Sequence, residues 1–120
     1  MTITNSAILS NNTQGSTTGG GMFVNRTAEV RLTNCTVSDN IASASSYGGA
    51  GLYVDGVAKL DHCTVSNNRA YFNGGGIYVT LYGNVQLRNT ILAANLSDGA
   101  GPDCWGNASP SRLPSTETVL

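Results

Sequence analysis

Apolar positions recur along this chain in short alternating clusters rather than at helical spacing. Val30, Leu32, Cys35 and Val37 form two such pieces, broken at Asn34, with Arg31, Thr33 and Thr36 on the opposite side. Alternation over so few residues predicts short strands, each burying one face. The pattern returns four times, over Ile3 to Asn11, Leu32 to Asn40, Leu60 to Asn68 and Leu87 to Asn95, with starts 29, 28 and 27 residues apart. A second phrase follows the first three copies, a glycine cluster running into an aliphatic residue, an aromatic and Val. It reads Gly19-Gly20-Gly21-Met22-Phe23-Val24, then Gly49-Ala50-Gly51-Leu52-Tyr53-Val54, then Gly74-Gly75-Gly76-Ile77-Tyr78-Val79.

Self-similarity at this period is the mark of a solenoid. The leucine-rich frame is missing, and the two-residue alternation excludes helical repeats. The expected fold is all-β, a parallel β-helix of about four coils with three short strands per coil. One strand ends near Leu32, a one-residue corner falls at Asn34, and a second strand covers Cys35 to Val37. A polar loop then leads to the glycines and a third strand over Leu52 to Val54. Successive coils lie ~4.8 Å apart, so equivalent side chains stack. Ile3, Leu32, Leu60 and Leu87 form one interior column, and Ile8, Val37, Val65 and Leu92 another.

Two polar columns accompany them. Asn5, Asn34, His62 and Asn89 occupy the corner, where a left-handed backbone is needed and Asn tolerates it. His62 is expected to be structural there. Asn11, Asn40, Asn68 and Asn95 form a second column, and stacked amides can hydrogen-bond along it. The glycines provide positive φ at the remaining corner. The loop before them changes length between coils, which places it outside.

Residues 1–95 are thus read as coils and 96–107, with Pro102, Cys104 and Trp105, as an irregular C-terminal cap. Residues 108–120 are read as a flexible Ser/Pro-rich tail. Leu113-Pro114-Ser115-Thr116 matches the start of a sortase signal, but Glu117 stands where Gly is required, so chance is the better reading. The chain reads as a piece of a longer protein, and an uncovered first coil is expected to associate.

Composition changes this picture little. Charged residues make up 11% of the chain and the net charge is −1, so the electrostatic footprint of a nucleic-acid binder is missing. No apolar run is long enough to span a membrane, and no basic-then-apolar leader opens the sequence. Three cysteines cannot close a disulfide set, and their spacing offers no metal-ligand pair. Cys35 over Cys63 is expected as stacked buried thiols. No cofactor is implied.

No catalytic constellation emerges. The acids are Glu29, Asp39, Asp55, Asp61, Asp98, Asp103 and Glu117, and they do not share repeat positions. Asp55 alone falls just past the third strand, and Asn25 and Thr80 at the matching positions add no second carboxylate. Phe23, Tyr53 and Tyr78 are the candidate ligand-binding residues. If the residues flanking each of them face inward, the rings face out and could form a flat stripe for sugars. The other readings are that the rings stack on one another beneath the loops, or that the register is reversed and they are core.

The phrase Asn34-Cys35-Thr36-Val37-Ser38 followed by Gly74-Gly75-Gly76-Ile77-Tyr78 resembles the right-handed parallel β-helix repeats of bacterial surface proteins, within the pectin-lyase-like superfamily. The glycine phrase is more distantly similar to chlamydial polymorphic outer-membrane protein repeats, whose Phe-x-x-Asn element is missing here. Leu87 to Asn95 with Gly101-Pro102-Asp103-Cys104-Trp105-Gly106 is similar to the choice-of-anchor Q domain. The resemblance implies right-handedness and an extracellular or cell-surface location. It also implies a non-catalytic, adhesin-like or carbohydrate-contacting module, with a polysaccharide or host-surface glycan and neighbouring coils of a parent chain as partners. The alternative it implies is a fragment of a polysaccharide lyase or glycoside hydrolase.

Overall fold

A computed structural model describes residues 1–15, 18–44, 46–106 and 115–116. The chain winds through four coils. The first carries β1 (Thr2–Thr4), β2 (Ala7–Leu9), β3 (Asn12–Thr13) and β4 (Met22–Val24). The second carries β5 (Glu29–Thr33), β6 (Thr36–Ser38), β7 (Ile41–Ala42) and β8 (Leu52–Val54). The third carries β9 (Val57–Asp61), β10 (Thr64–Ser66), β11 (Arg69–Ala70) and β12 (Ile77–Val79). The fourth carries β13 (Asn84–Arg88), β14 (Ile91–Ala93), β15 (Leu96–Ser97) and β16 (Cys104–Gly106), and β17 (Ser115–Thr116) follows.

Equivalent strands pair in parallel, in register, into four sheets among the described residues. Leu32 lies against Leu60 and Leu60 against Leu87, and Val37 lies against Val65 and Val65 against Leu92. These side chains are almost wholly buried and fill the interior together with Leu52, Val54, Ile77 and Val79. Each contributes about 1.5–3 kcal/mol of burial.

Each coil therefore has four strands where the sequence suggests three. The extra one (β3, β7, β11, β15) has two residues, too few for alternation to register. Ala42 and Ala70, with Ala50, make a small buried cluster under it.

Two corners per coil are left-handed at residues other than glycine. Asn5, Asn34, His62 and Asn89 occupy the first, with φ of 48°, 53°, 52° and 46°. The second uses Ser10, Asp39, Asn67 and Ala94, with φ of 56–57°, one residue before the ladder asparagines. That turn swings the next residue inward, and Asn40 and Asn68 are fully buried. Each gives its backbone N–H and Nδ2 to Oδ1 of the Asn in the next coil: Asn40 to Asn68 at 3.1 and 2.9 Å, Asn68 to Asn95 at 3.1 and 2.9 Å. Gly49 and Gly74 adopt φ of 77° and 63° at the glycine corner. Gly51 is required for a different reason, since a Cβ there would strike the Gly76 carbonyl oxygen.

The segment read as an irregular cap continues the repeat instead. Residues 96–97 and 104–106 are β15 and β16, and Cys104 and Trp105 sit in register with Ile77 and Tyr78. The expectation of a free tail over 108–120, and the Leu113 to Thr116 match within it, lie outside the described residues except at Ser115–Thr116, whose backbone pairs with β13 at Gln86 and Leu87. No helix among the described residues is long and apolar enough to cross a membrane.

Candidate functional site

The sheet β4–β8–β12–β16 has a sided chemistry. Met22, Leu52, Ile77 and Cys104, and Val24, Val54 and Val79, belong to or pack on the core. The residues between them point outward. Phe23, Tyr53 and Tyr78 form a continuous column on that outer face, with centroid separations of 5.3 Å and 5.0 Å and interplanar angles of 16° and 5°. Trp105 adds a fourth ring, 4.8 Å from Tyr78. It was legible in the sequence only by setting Gly101 to Gly106 over Gly74 to Val79.

The column is not a flat stripe. Tyr53 and Tyr78 give both ring faces to neighbours in the stack, and Tyr78 is 8% exposed. Phe23, at the end, is 51% exposed. A ligand on this face would therefore meet ring edges, phenol hydroxyls and the free face of Phe23. Tyr47 packs edge-on to Tyr53 at 6.4 Å from the long loop of the second coil.

Beside the column runs a concavity of about 340 Å³. Tyr47 stands on one side, and Arg26, Asp55, Thr80, Leu81 and Tyr82 complete its lining. The polar part is a clamp across three coils. Arg26 Nε donates to Asp55 Oδ2 at 3.2 Å, and the Thr80 hydroxyl donates to Asp55 Oδ1. Thr80 Oγ1 also accepts the Tyr82 N–H at 3.2 Å. The Arg26 guanidinium lies 3.5 Å from the Tyr82 ring centroid, a cation–π contact that holds it on the rim. Leu81 and Tyr82 are half exposed.

The electrostatics favour neutral donors. Burial, then the nearby Tyr78, Asp55 and Tyr47, push the Tyr53 phenol up to about 12, and burial likewise raises that of Tyr78. Both hydroxyls stay protonated at physiological pH. Each Asp55 oxygen accepts one hydrogen bond, from Arg26 or from Thr80, and the two together fix the orientation of the carboxylate. Sequence reading singled out Asp55 but missed Arg26, Tyr47 and Tyr82, whose only signal was their place in the turns flanking the aromatic strands.

The corner column lies elsewhere on the coil. Asn34 Nδ2 donates to Asn5 Oδ1 at 2.7 Å. His62 Nδ1 is 2.8 Å from Asp61 Oδ1, and Nε2 is 3.4 Å from the Asn89 amide nitrogen. The first is a close approach and not a hydrogen bond, since Asp61 Oδ1 has no hydrogen-bond partner among the described residues, and no nucleophilic side chain joins them. Cys35 and Cys63 are buried, free thiols that donate to the Thr33 and Asp61 carbonyls at 3.2 and 3.3 Å. Among the described residues no cluster of His, Cys, Asp and Glu could hold a metal ion.

A family model described as "Right handed beta helix region" matches residues 1–92. No curated protein and no solved structure matches the chain.

Proposed function

This chain belongs to the right-handed β-helix family, and on that scaffold we propose that the aromatic face is a carbohydrate-contacting surface of a non-catalytic, adhesin-like module. We place that module on a secreted or surface protein of a bacterium. The observation that carries the reading is the concavity beside the ring column, where apolar edges, neutral phenols and a fixed guanidinium converge. Sugars present C–H faces and hydroxyls together, and aromatic side chains with polar tips suit both. Asp55 is the one carboxylate among the described residues lining the concavity, which supports binding over hydrolysis, because a glycosidase commonly uses a pair of carboxyl groups.

A glycan array followed by affinity electrophoresis tests this. We expect Phe23→Ala and Tyr82→Ala each to weaken binding to the captured polysaccharide about tenfold, since both are half exposed and add little to the core. Unchanged binding by both variants would overturn the reading. Release of shortened or unsaturated product from the same polysaccharide would replace it with a lyase or hydrolase.

A further inference from the structure

Among the described residues lining the concavity, Arg26 is the one cation and Asp55 the one carboxylate. They meet at 3.2 Å, and Asp55 sits deeper: its side chain is 17% exposed against 55% for Arg26. The Thr80 hydroxyl holds the second Asp55 oxygen, and the guanidinium lies 3.5 Å from the Tyr82 ring centroid. The pair is therefore fixed in place as well as matched in charge. Arg26 keeps N–H groups that can donate to a hydroxyl, but its charge is already met by Asp55.

Basic side chains elsewhere leave this balance undisturbed. Arg31, Lys59 and Arg88 lie on the sheet of β5, β9 and β13, and Arg69 lies on β11. The chain as a whole carries a net charge of −1, so long-range steering does not favour a polyanion. The phenols report the same preference at close range. Burial first, then Tyr78, Asp55 and Tyr47, holds Tyr53 up at about 12, and burial, then Tyr47, raises Tyr78. Surroundings that resist a phenolate oxygen also resist a ligand carboxylate or sulfate brought beside it. A protonated amino sugar fares no better, because Arg26 stands on the rim and Asp55 already has its cation.

We infer that Asp55 is a specificity-determining residue, and that the glycan taken by this face is an uncharged one. Without Asp55, Arg26 beside a row of phenols would suit uronates, sulfated sugars or sialic acids. With it, the lining offers hydroxyls, ring edges and no unmatched charge, which suits a chain of neutral hexoses or N-acetylhexosamines. An acidic sugar would leave either its own carboxylate or that of Asp55 short of a partner. This assignment rests on the carbohydrate reading above, and adds to it the charge class of the ligand and the residue that sets it.

The test sets the full chain at pH 7 against polysaccharides matched in backbone and differing in charge, by biolayer interferometry. The pairs are hydroxyethyl cellulose with carboxymethyl cellulose, and methyl-esterified with de-esterified polygalacturonate. Chitin oligosaccharides and their deacetylated form add a cation, and an array of neutral, uronate, sulfated and sialylated glycans accompanies them. We expect capture confined to neutral glycans and, within a pair, at least about tenfold tighter binding of the neutral member. Its affinity should change less than about twofold between roughly 50 and 500 mM NaCl. Asp55→Asn should move the acidic-to-neutral affinity ratio at least about tenfold toward the acid, and Asp55→Glu, which restores the charge, should move it back. Tighter binding of the acidic or cationic members, a steep fall with salt, or capture of charged glycans alone overturns the inference and leaves a carbohydrate surface standing. An unchanged ratio in a folded Asp55→Asn chain overturns the role given to Asp55; if that chain does not fold, the wild-type selectivity decides. No capture in the pairs or on the array overturns the carbohydrate reading and the inference together.

Discussion

Two asparagine columns run along this molecule with the same period, and they do different physical work. In the interior column each rung carries paired hydrogen bonds, and Asn40 and Asn68 are fully buried. The corner column is solvent-exposed and discontinuous. Asn34 bonds Asn5, and His62 meets Asn89 only at 3.4 Å. Low dielectric makes the inner bonds strong and their loss costly, whereas water replaces the outer ones. The first column therefore holds the coils together, and the second chiefly serves the left-handed backbone of its corner.

The contrast breaks first at Asn68. Asn68→Ala removes the acceptor for Asn40 and the donors to Val37, Ser66 and Asn95 at once. We expect a loss of about 4 kcal/mol in urea denaturation, a large share of the stability of a domain this size. At the exposed corner, Asn34→Ala should cost about 1 kcal/mol, mostly left-handed strain. Asn34→Gly, which relieves that strain but also lacks the amide, should stay within a few tenths of a kcal/mol of wild type if the corner works as argued. The smallest effect is a gain. His62→Asn gives the corner a rung matching its neighbours and should stabilise by about 0.5 kcal/mol. A loss of 1 kcal/mol or more there would show that the His62–Asp61 contact carries more weight than the column.

The columns were legible because a period of 27–29 residues aligns identical side chains, and Leu32, Leu60 and Leu87 announce their burial by type. The two-residue strands were not, since Ile41–Ala42 and Arg69–Ala70 carry no alternation. The last strand of the fourth coil was hidden for a related reason. Pro102 and Asp103 replace the small residues of the glycine corner, so Cys104-Trp105-Gly106 loses its introduction although its backbone pairs as the others do. At the candidate site the positions of Phe23, Tyr53 and Tyr78 could be read but their mutual stacking could not, because a one-dimensional pattern says which face a ring occupies and nothing of its tilt. Arg26 and Tyr82 come from turns 56 residues apart in the chain, and only the coiling brings them together.

Asp103 has a consequence for how such a chain can change length. Every interior rung presents the same donors and acceptors to its neighbours, so the ladder itself stays continuous if a whole coil is duplicated or deleted between Asn11 and Asn95. The rung after Asn95 is different: Asp103 Oδ1 accepts the Asn95 N–H at 3.2 Å and Nδ2 at 2.9 Å, and a carboxylate has no donor to pass on. Asp103 thus ends the amide ladder without ending the solenoid, since strand pairing continues from β13 to β17.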